Sequence, residues 1–414
     1  MNRRRFLQHS AAAAMLPRNA LAHLPVFGDD VCERFWQNVR NQFPLRDDRI
    51  YFNTGGLGPS PLPVLNTLFE KTREHDETGE TGHEIFDKAR ERVAAFVGAH
   101  AEEIALTRNA TEGMNIIARG IPLQPGDEVI TTFHEHPGGA IPWLTAVRDV
   151  GARIKLIELP TNPAELVEHV EQSIGSRTRV FMMSHVPCTT GTIYPVAKLC
   201  AFLRARKVIS VLDGAQAIGM TPVRLHEIGC DFYSTSGHKW LLGPKETGFV
   251  YISKSAQEFF RPSYVGAYSD NRYDLDEMIL DLRKTAQVSE YGTRNAATIH
   301  GLIAAIDFLE TIGWQKIYDR QHELARRLVV GLKSSPRVDF LTSTVEGEFG
   351  GIVTFRIEGI SGPKLTARLL NDFRIRARVI TEHRLDGCRI SLHIFNSPGE
   401  VDQLIDAIQK IAGE

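Results

Sequence analysis

Apolar residues fall along this chain in two rhythms that alternate over most of its length. Around residues 127–133, 153–159, 179–184, 208–213, 231–234 and 248–252 they come as short strand-like segments, several of them continuous apolar runs such as Val208-Ile209-Ser210-Val211-Leu212. A strand with one wet face alternates apolar and polar positions, whereas a continuous run reads as a strand covered on both faces, as in a parallel sheet between helical layers. Residues 30–40, 85–97 and 111–119 instead carry apolar positions at helical spacing. Residues 50–61 break both rhythms. The stretch Tyr51-Phe52-Asn53-Thr54-Gly55-Gly56-Leu57-Gly58-Pro59 is too rich in Gly and Pro for regular helix, and its glycines suit a close backbone approach to a ligand.

Beyond about Thr298 the pattern changes. Long amphipathic helices are expected over 297–312 and 314–332, followed by short elements at 351–356, 363–371 and 389–393, the mixture of a smaller α+β domain. The chain therefore reads as α/β, with an N-terminal segment (23–60) packing with the small domain, a large domain (61–295) and a small C-terminal domain (296–414). There are neither internal repeats nor low-complexity linkers.

Composition narrows the partners. With 414 residues and 43% hydrophobic content the chain can bury a large core. Lys and Arg total 48 against 50 Asp and Glu, a formal charge of -2, so no general field favours nucleic acid or anionic lipid, and a small polar substrate is the better expectation. The cysteines Cys32, Cys188, Cys200, Cys230 and Cys388 are odd in number and lack zinc-site spacing; most of them read as buried thiols.

The first residues have a different character. Arg3-Arg4-Arg5-Phe6-Leu7-Gln8 is a basic start, residues 11–16 are a mildly apolar run too short to span a bilayer, and Ala20-Leu21-Ala22 offers small residues to a signal peptidase. Arg-Arg-x-Phe-Leu followed by a polar residue resembles the twin-arginine export signal, which a translocase reads on folded proteins. Residues 1–22 are accordingly expected to direct export, for instance to the periplasm, with the twin-arginine translocase as a transient partner and no stable membrane insertion.

The chemistry-bearing residues follow the ends of the predicted strands, where open parallel sheets bind ligands. Asp213-Gly214-Ala215-Gln216 ends one strand and Ser236-Gly237-His238-Lys239 another. This pair suits a pyridine cofactor: a buried carboxylate holds the ring nitrogen protonated while an amine forms a Schiff base with the aldehyde. Alone, Lys239 would read as a surface lysine and Asp213 as a helix cap. Gln216, one turn on, could donate to the phenolic oxygen. Arg108-Asn109-Ala110-Thr111-Glu112-Gly113 opens a helix whose first amides, with Thr111, suit an anion, although Thr followed by an acid is also an ordinary helix start. Ser236, His238 and Thr293 are further phosphate candidates. His136 follows a strand where an imidazole could stack on the pyridine face, with His134 as the alternative; no third residue accompanies this His-x-His to make a metal site. Arg389, in Cys388-Arg389-Ile390-Ser391-Leu392, suits bidentate capture of a substrate carboxylate or is a strand surface arginine.

In order and spacing, Ala110-Thr111-Glu112, Asp213-Gly214-Ala215-Gln216 and Ser236-Gly237-His238-Lys239 resemble the class V aminotransferase family of fold type I pyridoxal phosphate enzymes, which holds cysteine desulfurases and isopenicillin N epimerase; the similarity runs from about Tyr51 to the C-terminus. The resemblance implies a mostly parallel seven-stranded sheet in the large domain and pyridoxal 5'-phosphate as cofactor. It makes Lys239 the Schiff-base residue, Asp213 the pyridine-nitrogen partner, Gln216 the contact to the ring oxygen, and Ala110, Thr111, Ser236 and His238 the phosphate site. Thr293, in Gly292-Thr293-Arg294, resembles a residue lent to the neighbouring subunit's phosphate, implying a homodimer with shared active sites. Arg389 would bind the α-carboxylate.

Three departures from the family pattern matter. Residues 375–384 hold no cysteine where desulfurases carry their nucleophile, and Cys388 abuts Arg389, so persulfide transfer is disfavoured. Cys188, in His185-Val186-Pro187-Cys188-Thr189-Thr190-Gly191-Thr192, stands nearest the family's frequent Asn. Glu135-His136-Pro137 replaces Glu-His-His, which puts Pro137 at the ungapped match of the stacking histidine. The expected activity is Cα chemistry on an amino acid or amino-group metabolite, by aminotransferase or isopenicillin N epimerase-like reaction. The alternatives are a β-eliminating carbon-sulfur lyase and a non-catalytic cofactor-binding protein of the cell envelope. Side-chain specificity is expected from 263–273 and 375–384, whose Arg376 and Arg378 read as solvated surface charge or as partners of an acidic group. Replacing Arg3 and Arg4 together by lysine should hold the protein in the cytoplasm; undiminished export on cell fractionation would refute twin-arginine routing.

Overall fold

The computed structural model describes residues 32–335 and 337–414; the expected export segment, 1–22, lies outside the described residues. In chain order come α1 (Glu33–Arg40), β1 (Ile50–Tyr51), α2 (Leu62–Thr78), α3 (Ile85–Val97), β2 (Ile104–Thr107), α4 (Ala110–Gly120), β3 (Glu128–Thr132), α5 (Pro137–Val150), β4 (Arg153–Ile157), α6 (Leu166–Glu171), β5 (Thr178–Ser184), α7 (Val196–Ala205), β6 (Ile209–Asp213), α8 (Leu225–Ile228), β7 (Phe232–Ser236), β8 (Gly248–Ile252) and α9 (Lys254–Gln257). A hairpin of β9 (Asp270–Asp274) and β10 (Ile279–Leu282) leads to α10 (Ala296–Ile312) and α11 (Trp314–Leu332). The C-terminal part adds β11 (Val338–Phe340), β12 (Ile352–Ile357), α12 (Gly362–Phe373), β13 (Ile375–Arg376), β14 (Arg378–Ile380), β15 (Gly387–Ser391) and α13 (Pro398–Gly413).

Seven strands form the large sheet in the order β2-β8-β7-β6-β5-β3-β4. All neighbours from β4 to β7 pair in parallel, and only β8 runs against both of its neighbours. The mostly parallel seven-stranded sheet of an α/β fold is thus present. Several of its strands read as continuous apolar runs because successive side chains enter opposite, buried layers. Ile130, Phe181, Leu212 and Tyr233 face one layer, while Val129, Val180, Val211 and Phe232 face the other. Since β2, β3, β5, β6 and β7 share a direction, their C-terminal ends meet along one edge, where the segments bearing Ala110, His136, Cys188, Asp213 and Lys239 begin.

The smaller sheet, in the order β11-β12-β15-β14, is antiparallel and is covered by apolar residues of α11, α12 and α13, including Leu328, Leu365 and Leu404. α10 packs with the large sheet's core through Ile299, Leu302, Ile306 and Leu309. Among the described residues no single helix is long and apolar enough to cross a membrane; α10 and α11 pass by length and composition only as a pair bent by 79°.

The glycine-rich stretch has a role in protein packing. β1 pairs in parallel with β13, Phe52 enters the small-sheet core, and the chain then crosses onto the Lys239 loop. There the Gly58 amide donates to the His238 carbonyl at 2.8 Å, and a Cβ on Gly58 would lie 2.0 Å from the Lys239 carbonyl oxygen. Gly58 thus makes its close approach to the backbone of the Lys239 loop. Gly58→Ala should cost about 1–3 kcal/mol by overpacking, read as a lowered urea midpoint, whereas Gly175→Ala, with nothing within 4 Å of the added carbon, should be near neutral; equal midpoints for the two variants would refute this packing role.

Candidate active site

Asp213 ends β6, a strand buried at every residue, and Lys239 follows β7, its parallel neighbour. Ala215 donates its amide to Asp213 Oδ1 at 2.9 Å, and a Cβ on Gly139 would sit 3.2 Å from Oδ2. Burial pushes the Asp213 carboxyl above its ordinary range, while the Lys239 charge pulls it back. Desolvation in turn lowers the Lys239 amine; Asp213 and Cys188 oppose that shift, and Arg389 and Arg378 reinforce it. The two groups thus stabilise each other's charges where water is scarce, and the amine is easier to deprotonate than a surface lysine.

One end of the cleft is made by the start of α4. Asn109 caps this helix by accepting the Glu112 amide at 2.9 Å, and Glu112 folds back on the amide and guanidinium of Arg108. This capping aims the first turn at the end of β7, where the Ala110 amide donates to Ser236 Oγ at 3.0 Å. Thr111 is exposed beside Gly138, whose added Cβ would lie 2.3 Å from Thr111 Oγ1. The half-buried His238 has a buried Nδ1 with no partner, and its ring is lowered to about 4 by desolvation and by the Lys239 and Lys245 charges. Ala110, Thr111 and Ser236 therefore gather at one end, and His238 follows Ser236 by two residues in the Lys239 loop. Thr293 is exposed and lines a separate cavity of about 280 Å³ with Arg108, Glu112 and Glu246.

The segment after β3 separates the two histidines. His136 caps α5, its Nδ1 accepting the Gly138 amide at 3.0 Å, and it remains exposed at the cleft. The surrounding wall still desolvates its ring, and with Lys239 and Arg378 nearby its pKa falls to about 4. His134 is buried, with Nδ1 2.9 Å from Thr189 Oγ1 and its ring against His383. Between them lies Glu135, missed at the sequence level. It is buried and receives bonds from Thr132 Oγ1, Ser184 N and Ser184 Oγ at 2.7, 3.1 and 2.7 Å. Desolvation, with the Asp213 charge adding to it, raises Glu135 to about 7 against these bonds. Its position just past an apolar strand, like that of Asp213, was the available signal.

At the opposite end Arg389 is buried on β15. Its Nη1 donates to the Cys188 carbonyl and its Nη2 to Asn53 Oδ1, both at 3.1 Å, while Nε has no partner. Burial lowers even this guanidinium to about 10, with Arg378 adding to the effect. Arg378 is half-buried, pairs with Glu382, and reaches Cys188 Sγ at 3.8 Å; Arg376 is exposed. Of the two sequence alternatives, Arg378 belongs to the site and Arg376 to the surface. The buried Gln216 is gripped on both sides, its Nε2 donating to the Gly55 carbonyl at 2.9 Å and its Oε1 accepting from Trp240 Nε1 at 2.8 Å. One amide hydrogen remains for the ring oxygen expected of it. Asn53 and Trp240, which position Arg389 and Gln216, carried no sequence signal beyond lying in or beside the motifs.

A family model described as Aminotransferase class-V matches residues 66–404. The chain is 32% identical to an isopenicillin N epimerase of Streptomyces clavuligerus, covering 92% of this chain and 99% of that one. It is 30% identical to the isopenicillin N epimerase of Amycolatopsis lactamdurans, covering 91% and 98%. Among solved structures, an apo cysteine desulfurase from Thermococcus onnurineus NA1 superposes with a TM-score of 0.81 at 25% identity, covering 91% of this chain and 98% of that one.

The buried Glu135 carboxyl binds its proton more tightly in the folded chain than in the unfolded one. Its stabilising contribution is therefore complete below the unfolded pKa, near 4.5, and is lost as pH rises through the folded value of about 7. Glu135→Gln keeps the shape and can satisfy Thr132 and Ser184. It should flatten the fall in stability from pH 5 to pH 8 and gain a few kcal/mol over the parent at pH 8. Parallel urea midpoint curves for the two proteins across that range would refute this assignment.

Proposed function

Because the chain belongs to the aminotransferase class V family, we propose that it is a pyridoxal 5'-phosphate enzyme that moves the α-proton of an amino acid in an isopenicillin N epimerase-like reaction. The observation that carries this reading is the buried Asp213 at the end of β6 beside the half-buried Lys239 that follows β7, its parallel neighbour, with the buried guanidinium of Arg389 in the same cleft. The residues fit the cofactor. Asp213 has one backbone donor and an otherwise uncommitted charge for a pyridine N–H, and His238 Nδ1 and Arg389 Nε are buried polar atoms without partners. When bound, the cofactor supplies an electron sink for the pair left behind as a Cα bond breaks.

The chain's own residues do the rest. Lys239, with its lowered proton affinity, would be the amine that joins the cofactor aldehyde and, once freed, the base that takes the α-proton; inversion requires a proton to return to the opposite face of Cα. The Asp213 charge holds the ring nitrogen protonated. Ala110, Thr111, Ser236 and His238 take the phosphate, Gln216 offers its remaining N–H to the ring oxygen, and His136 presents the exposed ring that covers the cofactor. Arg389 takes the α-carboxylate, fixing the Cα–H bond toward Lys239. A persulfide route has no suitable nucleophile in residues 375–384, and Cys388 is buried on β15 with its thiol pushed up to about 12. We extend the proposal to a homodimer in which Thr293 serves the partner's phosphate site, and to export by the twin-arginine route. A fully active monomer in sedimentation would overturn the shared site.

Incubation of the holoenzyme with a panel of amino acids in deuterated water tests the reaction. Inverted stereochemistry with label at Cα is expected; keto acid would instead mark transamination, and pyruvate with released thiol would mark elimination. Lys239→Ala should lose about 10²–10⁴-fold or more in rate, and Arg389→Lys should raise KM more than it lowers kcat. A colourless protein with no borohydride-reducible link to Lys239 after supplementation with the cofactor would sink the whole reading.

A further inference from the structure

We propose that His134, Glu158 and His383 form a binding site for a divalent cation of the zinc class, which pins the turn before β15 to the body of the large sheet. The three residues come from separate places: His134 follows β3, Glu158 follows β4, and His383 lies in the turn between β14 and β15. One ligand atom from each lies within 4.8 Å of the other two. The sequence offers no hint of this set, since the nearby His-x-His pair is divided by the fold and its partners are remote.

The geometry is close to what such an ion requires. A tetrahedral ion with bonds of about 2.0–2.1 Å holds its ligands roughly 3.3 Å apart, and His383 Nε2 already lies 3.1 Å from Glu158 Oε2. Closing the remaining distances takes shifts of at most about 1.5 Å, within the reach of side-chain rotation. The rings are held in place. Phe133 stacks on His383 at 4.8 Å and 20°, and His134 meets His383 edge-on at 5.1 Å. In the tautomer in which His134 Nδ1–H donates to Thr189 Oγ1, its Nε2 keeps a lone pair, the arrangement metal-bound imidazoles use to fix their orientation. Glu158 is exposed, which leaves an entry path and a fourth position for water.

The turn itself adds an independent observation. His383, Arg384 and Asp386 have φ of 52°, 57° and 48°, the left-handed region that residues other than glycine occupy at a cost. Coordination through His383 would offset that cost and hold the turn in this form. Glu382 in the same turn pairs with Arg378, which reaches Cys188 at the substrate end of the cleft. An ion here would fix one wall of the substrate cavity without touching the reacting atoms.

The test uses holoenzyme with matched cofactor loading, so that binding to the cofactor phosphate is common to all samples. Titration with Zn²⁺ alone, by calorimetry, should show one site per chain of micromolar affinity or better. His383→Ala and Glu158→Gln should each weaken that site by about tenfold or more, with folding checked by thermal melting without metal. Co²⁺ should give the intense visible bands of a four-coordinate site in the parent and not in His383→Ala. His226→Ala, which breaks the other such grouping, His100, Glu103 and His226, should leave both signals unchanged. Absence of binding at sub-millimolar Zn²⁺, equal binding by parent and both site variants, or loss only in His226→Ala would each overturn the proposal.

Discussion

The opposed charges of Asp213 and Lys239 are the constraint around which this molecule is arranged. Either charge alone at the ends of fully buried strands would be expensive to keep out of water. Together they are tolerated, each shifted away from its ordinary proton affinity by burial and back toward it by the other. That residual imbalance makes the site reactive: the amine gives up its proton more readily, and the carboxylate seeks a positive partner such as a pyridine N–H. Full burial of β6 and β7 is the means of desolvation, and their parallel direction is what places both groups on one edge.

The cleft is closed by parts of the chain far from that edge in sequence. The glycine-rich segment lies directly on the Lys239 loop, lends its Gly55 carbonyl to Gln216, and supplies Asn53 to Arg389. Arg389 itself comes from the small sheet and also bonds the carbonyl of Cys188, which follows β5. Three pieces of chain therefore set one guanidinium, so the carboxylate site depends on how the N-terminal segment and the small sheet dock. Two of the five Arg389 N–H donors go to holding it in position.

Much of this was legible beforehand. The strand-like segments announced six of the seven strands of the large sheet and the ligand-binding edge where most of them end, and the motifs identified residues that gather there. Other elements were hidden for physical reasons. β2 is only four residues, Ile104–Thr107, too short for any period to show. α5 opens with Pro137-Gly138-Gly139 and carries Pro142, which read as loop until His136 caps it and burial of Trp143 secures it. The β9–β10 hairpin exposes Tyr273, Leu275 and Leu280 and mixes them with charges, so neither rhythm appears there.

The amino-acid order alone determined which residue types stand at the strand ends, because a strand needs only its own side chains to declare that both faces are buried. It thereby determined the sheet, the pairing of an acid with an amine, and the cofactor chemistry that such a pair suits. Tertiary structure alone decided which of the two histidines flanking Glu135 faces the cleft, which of two nearby arginines enters the site, and how many hydrogen bonds Gln216 and Arg389 have left to offer. Those outcomes depend on contacts between residues up to several hundred positions apart, such as Asn53 with Arg389, and no local spacing encodes them.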